Sequence, residues 1–307
     1  MLFDFNNNQY KYREEFDEFP EIENHDFRFT KCTCGETDSY VVSTVSRHRN
    51  FFPIVACSHC GTLRANPYFT EETATHYYGN VYGKVKREDR SPEQLFSAQR
   101  STSLAPFFAD IMEEFDTVLD FGGGAGGRTS ELADLGKGVW LHEVESDYSQ
   151  YAYSQGIQPY DKTRKYDLVV VSHVIEHMID PAAQMAEIIR DCCVENGLLL
   201  VATPIIDRQR ARQWLQHFHI AHKYYFTHDA LIGLMANLGC ELIKQNSVDA
   251  YLFRVGAQQE PDFVASCYEK GARKTKSLVE ADLKPSFKGL WRYLTQWRPQ
   301  SHSQKSP

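Results

Sequence analysis

The sequence lacks long hydrophobic runs and an excess of positive charge. No apolar stretch approaches the roughly 20 residues that a transmembrane helix requires. The amino-terminal segment MLFDFNNNQYKYREEFDEF is acidic and has no apolar core of signal-peptide length. We therefore expect a cytoplasmic protein without a transmembrane segment. The net charge of −8 disfavours nucleic acid as a partner, because binding to a phosphate backbone requires a cationic surface.

The composition is that of an ordinary globular protein. The 307 residues are 42% hydrophobic and 24% charged, which suits one substantial α/β domain and a small accessory module. In a reducing compartment the eight cysteines are expected to be metal ligands or buried thiols rather than disulfides.

Changes in composition and periodicity divide the chain into five segments. We predict an N-terminal extension (1–30), a cysteine-bearing ribbon (31–70), a helical connector or lid (71–115), an α/β domain (116–258) and a helical, basic and aromatic tail (259–307). In the ribbon, two short strand-like pieces each adjoin a cysteine pair that is followed by glycine. In the connector, Ser91-Pro92-Glu93 predicts a helix start with serine as the N-cap.

The segment 116–258 alternates between apolar strand patterns and helical patterns. The predicted strands include TVLDF, GVWLHEV, YDLVVVS and GLLLVATP, and the clearest helix is DPAAQMAEIIRDCC. Nearly continuous apolar strands that alternate with helices indicate a mainly parallel sheet covered on both faces. Two later segments, CELIKQNSV and AYLFRVGA, are predicted to form an antiparallel pair at one edge.

The strongest candidate for a binding site is the glycine-rich segment DFGGGAGG that begins at Asp120. It follows an apolar strand and precedes a helical pattern, a tight turn whose backbone angles glycine tolerates best. Missing Cβ atoms also let a ligand approach the main chain. About twenty residues further on, Glu143 is placed to accept hydrogen bonds from both hydroxyls of a ribose, with Glu145 as the alternative. A glycine-rich turn without a ligand is the structural alternative.

Four motifs in order give the chain a family resemblance. VLDFGGGAGG resembles the acidic-x-Gly-x-Gly-x-Gly motif of class I methyltransferases, with Asp120 in the acidic place. YDLVVVSHVIEHMIDP resembles the strand-four motif of that family and GLLLVATP its strand-five motif, while the spacing after Glu143 is similar to its second strand and helix. The resemblance covers roughly residues 116–258. It implies a Rossmann-like α/β fold with a seven-stranded sheet and S-adenosylmethionine as the cofactor.

The same resemblance assigns roles to individual residues. It implies that the loop lines the methionine and ribose portion, that Glu143 holds the ribose and that two residues after the fourth strand flank the cofactor. Asp161 is the candidate for contact with the adenine. The implied cofactor-binding residues are Asp120, Gly122, Gly124, Gly126, Glu143, Ser172 and His173.

Two tight cysteine pairs, Cys32/Cys34 and Cys57/Cys60, are separated by a hairpin-length segment. Thiolates this close in sequence can reach one tetrahedral ion, and zinc favours a closed four-sulfur site in a structural role. His59 is an alternative ligand, and four free, partly buried thiols are the alternative reading. The stretch from CGTLRANPYF onward resembles the zinc-binding leader of certain methyltransferases that act on sugars and other small metabolites.

Histidines are the candidate catalytic residues. A methyl sulfonium is already an activated donor, so the protein aligns the acceptor and, for a hydroxyl, removes a proton. Histidine suits that removal near neutral pH. The candidates His177, His219 and His222 follow the fourth and fifth strands, where ligands of open α/β sheets bind. His217 belongs to the same cluster, and His177 has a structural alternative at the start of a helix.

The region around His222 resembles the corresponding stretch of sugar C-methyltransferases, in which the positions of His177 and His222 are histidines near the acceptor. His219 and Ala221 replace the tyrosine and glutamate of those enzymes. We therefore expect methylation of oxygen, rather than nitrogen or carbon, on a small polar acceptor such as a sugar or glycan precursor. The competing hypothesis is an RNA-directed methyltransferase or non-catalytic module that binds through the zinc ribbon.

Two further features bear on these predictions. Tyr77 and Tyr78 are either lid residues over the cofactor or part of an aromatic core. The tail carries an apolar stripe at helical spacing with basic residues around it, which either docks on its own domain or makes a weak membrane-surface contact. The stripe consists of Phe287, Leu290, Trp291, Leu294 and Trp297.

Overall fold

The computed structural model describes residues 27–45, 51–70, 72–73, 91–208, 217–218 and 221–282. The predictions for the N-terminal extension up to residue 26, Tyr77, Tyr78, His219 and the apolar stripe of the tail lie outside these residues. Within the described part of the chain, no helix combines the length and the apolar character needed to cross a membrane.

The described residues form thirteen strands and seven α-helices. The strands are β1 (Phe27–Arg28), β2 (Ser39–Val45), β3 (Phe51–Cys57), β4 (Leu63–Ala65), β5 (Tyr68–Phe69), β6 (Thr117–Phe121), β7 (Gly138–His142), β8 (Gln158–Pro159), β9 (Tyr166–Ser172), β10 (Cys193–Ala202), β11 (Tyr224–Tyr225), β12 (Cys240–Gln245) and β13 (Ala250–Val255). The helices are α1 (Pro92–Arg100), α2 (Ala105–Phe108), α3 (Ser130–Asp134), α4 (Ser146–Ser154), α5 (Pro181–Cys192), α6 (His228–Asn237) and α7 (Pro261–Asp282). Single 3-10 turns cover Met112–Glu114, Ile175–His177 and Ile206–Arg208.

Seven of the strands form one mainly parallel sheet, in the order β12-β13-β10-β9-β6-β7-β8. The predicted strands TVLDF and YDLVVVS coincide with β6 and β9. The predicted antiparallel pair at one edge is β12 and β13, with Cys240 opposite Val255. Strand β13 also runs antiparallel to β10. The predicted α/β architecture, with a mainly parallel seven-stranded sheet, is confirmed.

The strands are apolar on both sides because helices cover both faces of the sheet. In β9, Leu168 and Val170 belong to one buried cluster, and Val169 and Val171 belong to the cluster on the opposite face. All four side chains are fully buried. Alternate residues of a strand point to opposite faces, so a continuous apolar run is the pattern that a doubly covered strand requires.

Local sequence signals start the helices that border the site. The side chain of Ser91 accepts a hydrogen bond from the backbone N–H of Gln94, and the side-chain Oε1 of Gln94 accepts one from the backbone N–H of Ser91, which makes a capping box. Asp180 caps α5 by accepting from the backbone N–H of Ala183. In both helices proline occupies the first turn, where its missing N–H costs nothing.

The cysteine ribbon is joined to the rest of the chain through its own sheet. This sheet has the order β11-β4-β3-β2, and β11, which comes after the fifth strand of the α/β domain, pairs with β4. Helix α7 closes the other side, where Thr275 Oγ1 donates to the carbonyl oxygen of Gly61 at 2.7 Å. The ribbon is therefore held by two segments that lie far from it in sequence.

Candidate active site and cysteine cluster

The glycine-rich loop leaves the carboxyl end of β6 and turns sharply into the residues before α3. Gly122 has a φ of +71°, and a Cβ on it would lie 2.6 Å from Val174 Cγ2. Gly126 has a φ of +79°, and its Cβ would lie 2.5 Å from Ile157 Cδ1. Both conditions exclude larger residues, because side chains rarely adopt this backbone region and there is no room for them. The loop predicted from sequence is thus a tight turn in which neighbouring side chains block the Cβ positions of the glycines.

Asp120 lies at the base of this loop and is almost completely buried. Its Oδ2 accepts a hydrogen bond from Thr129 Oγ1 at 2.7 Å, whereas Oδ1 has no hydrogen-bond partner among the described residues. Burial raises the pKa of Asp120 to about 6, against the lowering effect of the Thr129 hydrogen bond. A buried carboxylate oxygen without a donor is costly, so the site suits a ligand that brings one.

Glu143 follows β7 and bends over the same loop. Its Oε2 accepts a hydrogen bond from the backbone N–H of Gly124 at 2.8 Å, and its Oε1 accepts from that of Glu145 at 2.9 Å. A carboxylate offers about four acceptor positions, so two lone pairs remain for other donors. The structure therefore brings Glu143 and the loop together, as the sequence predicted.

Sequence reasoning missed Gln99, which lies on α1 and clamps the loop from the other side. Its Nε2 donates to the carbonyl oxygen of Gly123 at 2.9 Å, and its Oε1 accepts from the backbone N–H of Gly127 at 3.1 Å. It also missed Arg128, whose Nη1 donates to Ser172 Oγ at 2.6 Å. Gln99 carried no local signal, whereas Arg128 stands directly after the glycine run.

His173 follows Ser172 at the carboxyl end of β9, in a backbone conformation that is uncommon for histidine. Its φ is +56°, and its backbone N–H donates to the carbonyl oxygen of Ala202 at 2.7 Å. The half-exposed ring lies between two carboxylates, 3.5 Å from Asp249 and 3.4 Å from Glu176. Asp249 and Glu176 together raise the pKa of His173 to about 9. His173 is thus cationic at neutral pH and borders the crevice.

Two of the predicted catalytic histidines meet although they are far apart in sequence. The rings of His177 and His222 are perpendicular, with 4.6 Å between their centroids. His177 Nδ1 lies 2.7 Å from the carbonyl oxygen of Ala221. Since a carbonyl can only accept, Nδ1 carries the proton, and Nε2 of His177 is the basic nitrogen. The turn Ile175–His177 also precedes α5, so the structural role considered for His177 stays an alternative to the predicted chemical one.

Glu176 is the acidic neighbour that sequence reasoning left out. It is 2% exposed, and its Oε2 accepts from Thr203 Oγ1 at 3.0 Å. Burial raises its pKa, but the contact with His173 and the nearby His177 outweigh burial, so the pKa lies below the usual value. Glu176 therefore places a buried negative charge beside the histidines. The Glu-His step of the sequence was the signal that could have identified it.

Asp161, the candidate for contact with adenine, is exposed and takes part in a local turn. Its Oδ1 accepts from both the backbone N–H and the Oγ1 of Thr163, at 2.9 and 2.7 Å. These hydrogen bonds lower its pKa. The role of Asp161 toward adenine stays a prediction.

The four predicted cysteines of the ribbon converge. Cys32 Sγ lies 3.5 Å from Cys60 Sγ, Cys34 Sγ lies 3.6 Å from Cys57 Sγ, and all four sulfurs are within 4.8 Å of one another. Four sulfurs about 2.3 Å from a tetrahedral zinc ion would be about 3.8 Å apart. The cluster thus has the spacing of a closed tetrathiolate site. His59, the alternative ligand, is exposed and is not among the four clustered residues.

The geometry defines a class of protein: an open, mainly parallel α/β sheet with a closed glycine loop and an acidic residue after the second strand of the domain. Residues 93–245 match the family model described as a methyltransferase domain. This segment of the chain is a methyltransferase domain with a Rossmann-like fold.

Solved structures of methyltransferases are similar to the chain at low sequence identity. Human N-acetylserotonin methyltransferase in complex with S-adenosylmethionine is 18% identical over 60% of this chain and 62% of that chain, with a TM-score of 0.45. Magnesium protoporphyrin IX methyltransferase from Synechocystis PCC 6803, with bound S-adenosylhomocysteine, is 14% identical over 60% of this chain and 98% of that chain, with a TM-score of 0.44. The chain thus spans less than two thirds of the human enzyme. No curated protein matches the chain.

Proposed function

We propose that the protein transfers the methyl group of S-adenosylmethionine to an oxygen atom of a small polar acceptor such as a sugar or glycan precursor. The observation that carries this proposal is the pair of imidazoles, His177 and His222, at the crevice beyond the carboxyl ends of β9 and β10. Ligands of open α/β sheets bind at such a crevice. The pair would offer a base to an acceptor hydroxyl bound there.

The cofactor would be held by the loop and by Glu143. Asp120 and Glu143 would offer carboxylate oxygens to its donors, and the glycine turn, whose Cβ positions are blocked by protein side chains, would present its backbone to the cofactor. The unpartnered Oδ1 of Asp120 supports this fit. Ser172 and His173 would flank the cofactor, and His173, with its raised pKa, brings a positive charge. Bound S-adenosylmethionine supplies an activated methyl group.

His177 and His222 would bind and deprotonate the acceptor. The carbonyl oxygen of Ala221 keeps the proton of His177 on Nδ1, which orients Nε2 as an acceptor for the hydroxyl proton. His222 would share that proton or orient the hydroxyl, and His219 remains the third candidate. The protein would otherwise act by alignment, since in-line placement of oxygen, carbon and sulfur accounts for much of such a rate enhancement.

We further propose that Cys32, Cys34, Cys57 and Cys60 hold one structural zinc ion. The spacing of the sulfurs supports this, and a site closed by four thiolates has no position left to activate water. The ion would stabilise the ribbon and, through β11, the segment that carries His222.

An RNA acceptor through the ribbon has less support. Of the four cationic residues near the cysteines, Arg64 is fully buried, and its Nη2 donates to the carbonyl oxygen of Thr30 at 3.3 Å. Arg64 is therefore not part of a basic surface. Lys31 is exposed, and Arg47 and Arg49 lie outside the described residues.

The test separates the acceptor side from the cofactor side. We expect His222→Ala to lower turnover by about 10²–10⁴-fold, the usual contribution of a general base, and to leave the affinity for S-adenosylhomocysteine nearly unchanged. Calorimetry measures the affinity, and a screen of sugars and nucleotide sugars with labelled S-adenosylmethionine measures turnover. If His222→Ala lost cofactor binding as severely as Glu143→Ala, the placement of the acceptor pocket would be wrong. If the folded protein bound no S-adenosylmethionine, the proposed activity would be wrong.

A further inference from the structure

We propose that Glu176, His177 and His222 form a binding site for one divalent transition-metal ion, separate from the cysteine cluster. One carboxylate oxygen and one nitrogen from each imidazole lie within 4.8 Å of one another. The inference rests on the proposed function, because it assigns the cation to the acceptor side of the same crevice. It deepens that function by naming how the acceptor would be held.

The carboxylate of Glu176 supplies the first argument. The side chain is 2% exposed, and its Oε1 has no hydrogen-bond partner among the described residues, although His173 Nδ1 lies 3.4 Å from it. Oε2 accepts from Thr203 Oγ1, which fixes the group. The cationic ring of His173 offsets part of the cost of burying this carboxylate, and Oε1 keeps lone pairs that a metal ion can take.

The orientation of His177 supplies the second argument. Histidine ligands usually donate their other N–H to a carbonyl or carboxylate, which fixes the tautomer and the ring and makes the coordinating nitrogen more basic. His177 makes this contact through Nδ1 to the carbonyl oxygen of Ala221, at 2.7 Å. Ala221 directly precedes His222, so one short segment both orients the first imidazole and carries the second.

The donor set indicates which ions fit. Two imidazoles and one carboxylate are the ligands of several zinc enzymes and of other first-row transition-metal sites. Metal–ligand distances of about 2.0–2.2 Å keep the ligand atoms of one ion within about 4.4 Å of one another. The bound of 4.8 Å in this trio therefore requires at most small side-chain rotations. The four-sulfur cluster, by contrast, offers softer ligands and leaves no coordination position open.

Three protein ligands leave coordination positions open, and these define the substrate class. An acceptor with two adjacent oxygens, such as a vicinal diol or an α-hydroxy acid, would chelate the ion. Coordination makes a hydroxyl more acidic, so its proton can leave to solvent while the oxygen lone pair attacks the methyl carbon. The carbon–sulfur bond breaks and its electron pair returns to sulfur. With their nitrogens bound to the ion, His177 and His222 would act on the hydroxyl through that ion instead of accepting its proton themselves.

Cobalt(II) is the probe for this site, because its visible spectrum distinguishes thiolate ligands from nitrogen and oxygen ligands. The full chain is first loaded with one equivalent of zinc to fill the cysteine cluster, and is then titrated with cobalt(II) in equilibrium dialysis. We expect one cobalt ion per chain without sulfur-to-metal charge-transfer bands. His222→Gln and Glu176→Gln should each weaken cobalt binding at least tenfold, whereas the matched control His228→Gln, another half-buried histidine, should not.

The outcomes keep this inference apart from the proposed function. Binding of S-adenosylhomocysteine is measured on the same samples, and we expect it to be unchanged in His222→Gln and His228→Gln. If wild-type protein binds the cofactor but no second metal ion, or if the cobalt spectrum of the zinc-loaded chain shows thiolate ligands, the metal site is wrong and the proposed function stands. If His222→Gln folds and still binds cobalt as wild type does, the site is wrong as well. If cobalt binds as expected but no acceptor is methylated, the proposed function fails and the metal site stands.

Discussion

The cysteine ribbon and the α/β domain are stabilised in different ways. The ribbon strands contribute Ile54, Leu63 and Phe69 to a modest apolar cluster. The tip of the ribbon, by contrast, has a buried cluster built mainly from sulfur, which consists of Cys32, Cys57, Cys60 and Tyr268. The α/β domain instead buries two large aliphatic and aromatic clusters, one on each face of its sheet. Burial of apolar surface is spread over many residues, whereas a tetrathiolate depends on each ligand. This difference predicts that the loss of a single ligand will destabilise the whole ribbon, whereas a single substitution in the α/β domain will have a local effect.

The largest effect is expected for Cys57→Ser. Loss of one thiolate should reduce the zinc content from about one ion per chain to near zero, and structural zinc contributes about 10–16 kcal/mol of apparent binding free energy in small zinc-finger peptides. The ribbon strands should lose protection from hydrogen exchange, while β6 and β9 keep theirs. Elemental analysis and exchange mass spectrometry measure both quantities.

The matched control is Cys240→Ser, which alters a buried thiol outside the cluster and should retain the metal. Protein purified under reducing conditions that contained no zinc would contradict the proposed cluster. Equal loss of protection in the ribbon and in the central strands would show that the two regions are not stabilised separately.

Gly122→Val should abolish cofactor binding and leave the ribbon unchanged. The new side chain would be forced to a φ of +71° and would collide with Val174, since even a Cβ would lie 2.6 Å from Val174 Cγ2. Calorimetry with S-adenosylhomocysteine tests the binding, and elemental analysis should still show one zinc ion. Gly136→Ala is the control, because Gly136 has a comparable φ of +87° with nothing within 4 Å of its Cβ position. Near-normal affinity in Gly122→Val would remove the loop from the cofactor site.

Glu143→Ala should weaken cofactor binding by on the order of 1.5–3 kcal/mol, the range for hydrogen bonds to charged groups. The variant also removes the acceptor for the backbone N–H of Gly124, so the loop should become more mobile while the sheet stays folded. Glu145→Ala, two residues further on, is the control and should change the affinity much less. The reverse order of the two effects would assign the ribose to Glu145. Titration calorimetry measures both variants.

The smallest effect is a pH dependence that arises from Asp120. Its pKa of about 6 lies above the ordinary value, so the folded state holds this proton more tightly than the unfolded state does. Its contribution to stability therefore becomes less favourable as the pH rises from about 4 to 6. Donors of a bound cofactor favour the ionised carboxylate, so affinity should rise with pH and level off above about 6, by at most tenfold per pH unit.

Calorimetry between pH 5 and pH 8 tests this dependence, and Asp120→Asn should flatten it, because the amide does not titrate. A slope of the same size in Asp120→Asn would attribute the pH dependence to another group.

Much of the α/β domain could be predicted from the sequence because its signals are local. A continuous apolar run identifies a strand covered on both faces, as in β6 and β9. Ser91 and Pro92 mark the start of α1, and Asp180 and Pro181 mark that of α5. The glycine loop and the cysteine pairs could be identified for the same reason, since a sharp turn or a metal knuckle restricts the residue types within a few positions of the chain.

The residues of the proposed acceptor side are brought together by contacts that local sequence patterns do not encode. No periodic pattern predicts that the rings of His177 and His222 are in contact or that Glu176 is buried beside them. Nor does any pattern predict that Gln99 contacts the loop from α1. The pairing of β11 with β4 is equally non-local, and it fixes the position of the segment just before β11, which carries His222. Spacing along the chain therefore determined the strands, the loop and the cysteine pairs, whereas the packing of distant segments decided which side chains share one site.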